Sequence, residues 1–567
     1  MEERPNLTRW LLIGLAVFLF VTYGWPAITG KSGQSLVQPL GRADDTVAPT
    51  ERPVDEQLCA IAGPRFRATL TTKGGSLRSF TPDDAKYQTR QDDRSSDLVT
   101  TTLPSRLPLR TDLRLPASAG GAAEQVGFDD LEWRLESSTA TSCVFRFETD
   151  TTTATKTVAS TERPFELELT LAVTNKSKEA RSHRLTVENA EWFRAAETQS
   201  SWQRQSEYQT QVEVAIGDKV SRFGLEDFEP KDFEDQAFTD EKWRRTAGDA
   251  SFASVSTSYF SKALVPLDDA KPAGETRVEE VFDRAQFADK GKDPQFGHTY
   301  RARLNYGVRA LGPGETVSYR ILAFNGPKER ELLANVGGGG RPTTEILNLG
   351  TFGAIGKLLI RYLYLLNSLV SSWGWAICLL TITVKLLLFP LSISQIKSTI
   401  AMRRLKPEMD ALNAKYKDDA QQRGLALQEL WRKNKVANPM LGCLPVLLQM
   451  PVWWALYTSL QTAVELYHTP FGPFVPDLSA PGKYFIIPAL LGASSFLQQH
   501  LMPMQGDPMQ QRMMKWMMPT IFTVMMLFLP AGLGIYFLTN TWLGIVQQVA
   551  VERYYKSQES AGEPTPA

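Results

Sequence analysis

Four long apolar stretches, Ser372–Ser392, Met440–Leu460, Tyr484–Gln499 and Met517–Gln547, decide what the C-terminal part of this chain can become. A helix of about 20 apolar residues crosses the hydrocarbon core of a bilayer, and in that core only helices and closed barrels satisfy their own backbone. The last stretch has room for two helices broken at Pro530-Ala531-Gly532, because proline brings no amide hydrogen to a helix interior. Five spans are expected. A sixth precedes them: Trp10–Ile28 runs 19 residues without a charge between Arg9 and Lys31, with Tyr23 and Trp25 at interface depth. Its length and the lack of an A-x-A site favour an uncleaved anchor over a cleaved signal peptide.

Charge orients these segments. Through Gly350 the chain carries 44 basic and 51 acidic residues, and after it 18 and 11, so the balanced total of 62 against 62 conceals two opposite halves. That balance suggests no nucleic-acid partner read by sequence. Gln395–Ala437 holds ten basic residues against five acidic, which the positive-inside rule assigns to the cytoplasm. Alternation then puts the acidic block on the far side of the membrane and both termini in the cytoplasm. Leu405, Met409, Leu412 and Tyr416, followed by Leu427, Leu430 and Trp431, recur at helical spacing, so this loop is expected to be a helical hairpin. Its basic surface fits a solvated face, lipid head groups or ribosomal RNA.

Residues from about Ala60 to Gly326 read as strands. Phe165–Leu171 alternates strictly, as do Phe145–Glu148, Arg184–Val187, Arg301–Leu304 and Thr316–Ile321, with turn residues between them. Short strands repeated over this length imply a β-sandwich. Cys59 and Cys143 form either a disulfide or two buried thiols. No CxxC, HExxH or HxH occurs, so neither a zinc ribbon nor thioredoxin chemistry is expected. Gly30-Lys31-Ser32 fails as a phosphate loop because Trp25 stands where the first glycine is required.

One charge sits inside an apolar stretch. Lys385 lies within Thr381–Pro390, and a lysine at a helix centre costs about 2.5–3.5 kcal/mol on insertion scales, so it should face water, a partner or a polar cavity. Thr381, four residues before it, and Ser392, seven after, give that face a polar stripe. Gln449, Tyr536 and Asn540 are candidates to line the same space. The plainer alternative is a snorkelling lysine among ordinary interhelical polar groups. Thirteen of the 14 methionines follow residue 400 and cluster near Met513 and Met517, where thioethers serve either adaptable contacts or gap filling.

These residues resemble the YidC/Oxa/Alb family of membrane protein insertases, of the Gram-negative type. The resemblance rests on Thr381–Leu391, Asn438–Pro445, Leu448–Pro451, Asp507–Gln511, Met518-Pro519 and Pro530–Leu533, and spans about Thr351 to Tyr555. Thr72-Lys73-Gly74-Gly75, Tyr259-Phe260 and Pro313–Thr316 extend it more weakly into the front half.

The resemblance implies a multidomain membrane protein of the bacterial inner membrane. Its parts would be a transmembrane anchor (1–30), a linker (31–59) and a periplasmic β-sandwich of the supersandwich type found in sugar mutarotases (60–330). A connector with an interfacial helix (331–371), a five-span α-helical core (372–555, with the 395–437 cytoplasmic hairpin) and a tail (556–567) would follow.

It further implies a hydrated, positively charged groove at Lys385, Thr381, Gln449, Tyr536 and Phe537, with Met450, Met513 and Met517 as a substrate slide or flexible contact. Nascent membrane proteins, the bilayer, a Sec translocon and, through the hairpin, the ribosome are the implied partners; no cofactor and no enzymatic turnover are implied. Lys385 stands where the family usually has arginine, and Val551–Ala567 lacks the basic excess many relatives carry. Two other functions compete with this one. An ion- or proton-coupled transporter would need a second intramembrane ionisable group, and an envelope enzyme would need a legible acid/base pair.

Overall fold

The structure, a computed structural model, describes residues 55–88, 97–101, 106–114, 133–198, 209–228, 243–268, 270–283, 286–350, 352–416, 419–434, 444–482, 484–501 and 508–560. The expected anchor, most of the linker, the Asn438–Cys443 part of the family motif and the tail beyond residue 560 lie outside these. The chain divides into two units between Leu347 and Asn348.

The first unit is built from antiparallel strands, numbered in chain order. A meander of β1 (Leu58–Gly63), β2 (Phe66–Thr71) and β3 (Ser76–Pro82) opens it. Strand thus begins inside the segment expected to be linker.

A nine-stranded sheet follows the spatial order β11 (Lys219–Phe223), β10 (Gln211–Ile216), β13 (Phe252–Ser256), β14 (Phe260–Pro266), β18 (Thr316–Pro327), β8 (Glu166–Asn175), β7 (Thr152–Ser160), β6 (Ser142–Glu148) and β5 (Arg134–Ser138). The third sheet orders β12 (Arg244–Asp249), β15 (Ala273–Val281), β16 (Gly297–Asn305), β9 (Arg181–Arg194) and β17 (Arg309–Leu311), with β4 (Arg110–Arg114) also pairing β9.

The period-two pattern of β8 explains its place. Leu167, Leu169, Leu171 and Val173 point into the core, essentially free of solvent. Strands β10, β13 and β14 pack against β9, β15 and β16, which makes the expected sandwich. Cys59 on β1 and Cys143 on β6 are joined by a disulfide with Cα atoms 6.2 Å apart, which resolves the two readings left open by the sequence.

The second unit is helical: α1 (Gly353–Val370), α2 (Trp373–Leu387), α3 (Phe389–Lys415), α4 (Ala420–Lys433), α5 (Leu444–Thr462), α6 (Ile486–Leu501), α7 (Pro508–Met526) and α8 (Ala531–Ser560). The Ser372–Ser392 stretch is not one helix. Leu388 breaks it, and Pro390 sits in the first turn of α3, where its missing amide costs nothing. The last stretch divides at Pro530 as its composition predicts. Helix α1 falls where a connector with an interfacial helix is expected; among the described residues it is the helix both long and apolar enough to cross a membrane. Leu405 and Met409 of α3 pack on Leu427, Leu430 and Trp431 of α4, the apolar positions whose spacing predicts a hairpin.

At one end of this unit the segment between α5 and α6 folds back over the start of α8. The amides of Ala531 and Gly532 donate to the carbonyls of Ala480 and Leu478, both at 2.8 Å, so the first-turn donors of α8 find acceptors outside the helix. Beneath them a cluster including Leu359, Ile377, Leu380, Leu456, Leu466, Leu533 and Phe537 forms the interior.

Candidate functional site

Helix α2 carries no charge before Lys385, which lies in its last turn, where the helix dipole favours a cation. Lys385 is half-buried, and among the described residues its ammonium has no hydrogen-bond or ion-pair partner. Gly544 of α8 faces it: a β-carbon there would lie 3.8 Å from Lys385 Nζ and 3.0 Å from Gln498 Nε2 of α6. Three helices thus bring an ammonium, an amide and a bare stretch of backbone together.

The other expected groove residues stand elsewhere. Thr381 is 1% exposed and its Oγ1 donates to the Ile377 carbonyl at 2.7 Å, so its hydroxyl is spent on its own helix. Ser392, on α3, donates in the same way to Leu388 at 3.1 Å. The polar stripe is therefore interrupted on both sides of Lys385. Tyr536 and Phe537 belong to the apolar interior, and the Phe537 ring lies 6.0 Å from Trp453 and 6.3 Å from Phe522. Eight residues along α8 separate Tyr536 from Gly544, roughly 12 Å of helix. Lys385 and Tyr536 thus sit at different levels. Of the methionines, Met450 is half-buried and Met517 exposed. The side chains of Gln449 and Met513 lie outside the described residues.

Sequence reasoning missed Gln498, Gly544 and Gln548. Gln548 follows Gly544 by four residues on the same face of α8 and donates to the Leu501 carbonyl at 2.9 Å and to Glu552 Oε1 at 3.2 Å. A glycine inside a helical run, with glutamines on two apolar helices, was the available signal.

The first unit concentrates charge on one face of its third sheet. Arg301 of β16 grips Glu188 of β9 through two bonds and reaches Glu279 of β15 at 2.5 Å, while Arg303 reaches Glu275 at 2.6 Å. Trp243 lies over the guanidinium groups of Arg301 and Arg303, 4.5 and 3.4 Å from ring centre. Burial alone would raise the Glu188 carboxyl; Arg301, with Arg110 and Arg106 behind it, overcomes that and holds it at about 2. Every acid in this ladder is matched by arginine, so no free acid/base pair emerges from it.

A unit of largely apolar helices with a lysine near the end of one of them, following an extensive β-sandwich in the chain, has the make-up of a membrane protein with a large extramembrane domain. Comparison specifies which kind. The family model described as 60Kd inner membrane protein matches residues 365–559, and that described as YidC periplasmic domain matches residues 58–361. A membrane protein insertase YidC of Anaeromyxobacter dehalogenans strain 2CP-C is 34% identical over 523 residues, covering 90% of this chain and 87% of the relative. One from Paraburkholderia phymatum is 35% identical over 317 residues, covering 56% of this chain and 54% of its own. A crystal structure of an active YidC insertase with its first transmembrane domain resolved aligns over 94% of this chain and 99% of its own, at 18% identity and a TM-score of 0.36. The chain belongs to the YidC family of membrane protein insertases, which is a family of the inner membrane, and its β unit is the family's periplasmic domain.

Proposed function

We propose that this chain moves hydrophobic segments of nascent membrane proteins into the inner membrane through a hydrated, positively charged groove at Lys385, and shields them as a chaperone on the way. The observation that carries this reading is the ammonium of Lys385, half-buried among three helices and without a partner among the described residues. An ion in hydrocarbon is costly, so such a site is stable only where water or polar peptide reaches it. A substrate's polar flank entering there crosses a shorter apolar distance. Transfer of its apolar segment into lipid then drives the step, at roughly 25 cal/mol per Å² removed from water.

In this reading α2, α5, α6, α7 and α8 are the five core spans. The residues before the periplasmic domain supply the sixth, and both termini and the α3–α4 hairpin face the cytoplasm. Met450, Met513 and Met517 offer adaptable contacts and Gln449 a further polar group for the groove, while Thr381, Tyr536 and Phe537 belong to the packed interior of the helical unit. The protein works alone or beside a Sec translocon, with the basic hairpin available to a ribosome, and without enzymatic turnover. Proteoliposomes containing only this protein are expected to insert a small single-span substrate, scored by protease protection. Insertion no greater than into protein-free liposomes would overturn the reading.

A further inference from the structure

Gly544 leaves open the space beside the groove cation, where a β-carbon would come within 3.8 Å of Lys385 Nζ, and nothing in the family pattern quoted above includes it. The surroundings form a continuous polar seam between α6 and α8. Gln498 and Gly544 face each other at one end, and one turn further on Gln548 links the Leu501 carbonyl of α6 to Glu552 of α8. Among the described residues neither Lys385 nor the Gln498 amide has a hydrogen-bond partner, and both are half-buried. Two polar groups left unmatched at a helix junction are stable there only where water reaches them. Along α8, Glu552 lies about 12 Å beyond Gly544, toward the helix end that the basic hairpin marks as cytoplasmic.

We infer that Gly544 is a positioning residue that keeps open the path by which water and polar peptide reach Lys385, along the seam of Gln498, Gln548 and Glu552. The inference rests on the groove reading above. A side chain at Gly544 would occupy the space beside Nζ: alanine would sit 3.0 Å from the movable end of Gln498, which can give way, whereas leucine would fill the gap. Leucine is also a better helix former than glycine, so the substitution does not weaken α8 by itself.

The test places a reporter thiol at the cation. In full-length protein with Cys378 and Cys443 replaced by alanine, Lys385→Cys is labelled in membrane vesicles with a membrane-impermeant maleimide supplied on the cytoplasmic side. Gly544→Ala is expected to slow labelling by a few fold and Gly544→Leu by about tenfold or more, since a thiol reacts only where water delivers the reagent. Val546→Leu, on an exposed face of α8, leaves it unchanged.

The alanine variant keeps the test open should leucine disturb folding, which a protease-resistance profile reports. Equal labelling in all Gly544 variants overturns the seam and leaves the groove standing. No labelling of Lys385→Cys even with Gly544 intact overturns the groove itself. With Lys385 restored, Gly544→Leu is expected to reduce insertion and Gln498→Ala to recover part of it, a rescue that a merely structural glycine would not show.

Discussion

Arg301 and Glu188 form a two-pronged ion pair inside the periplasmic domain, with Nε to Oε1 at 2.8 Å and Nη2 to Oε2 at 2.9 Å, on strands that pair through Ala302, Ala190 and their neighbours. Both side chains are almost fully buried. Removing one partner strands a charge, so Arg301→Ala is expected to destabilise the domain by about 3–5 kcal/mol, and Arg301→Met with Glu188→Met by much less. Denaturant unfolding of the full chain in detergent distinguishes the two; equal losses would show the pair itself to be the stabilising element.

The same pair sets an acid limit. The Glu188 carboxyl is held at about 2 when folded, below its ordinary value, so its contribution is present above about pH 4.5 and is lost as pH falls through 2. Glu188→Gln is expected to flatten that part of the stability curve, measured by hydrogen exchange at β9 and β16.

Lys156 has the opposite sign. Its amine is wholly buried, donates to the carbonyls of Leu109 at 2.7 Å and Gly74 at 3.3 Å, and is pushed down to about 7 by burial. Between about pH 7 and 10 the unfolded chain holds a proton that the folded chain has released. Stability therefore rises with pH across that window, by on the order of 1 kcal/mol per unit. Lys156→Met is expected to remove this rise, and an unchanged slope in the variant would refute the assignment.

Cys59 and Cys143 close a separation of 84 residues, binding the first meander to the nine-stranded sheet. Chain entropy assigns such a link about 4.5 kcal/mol. Replacing both with alanine is expected to lower the unfolding midpoint of the periplasmic domain, and reductant is expected to do the same to the parent chain but not to the variant.

The limits of sequence reading follow from where its signals are local. The alternation of β8, the Leu405–Trp431 spacing of the hairpin and the break at Pro530 depend on residues close in the chain, and all are legible. Arg301–Leu304 is legible as an alternating strand, but not what its charges meet; only the sheet order, which puts Glu275, Arg303 and Glu188 on adjacent strands, shows them to be interior. Lys385 is legible because a charge in an apolar run is costly wherever it lies. Its true neighbours, Gln498 and Gly544, lie more than a hundred residues away, and helical spacing instead offered Thr381, whose hydroxyl is bonded to its own backbone.

The most direct measurement of the central claim is insertion of a single-span substrate by proteoliposomes carrying variants of Lys385. Lys385→Arg is expected to match the parent, because guanidinium stays ionised, whereas Lys385→Leu is expected to lose most of the activity. Full insertion by the leucine variant would contradict a charged groove.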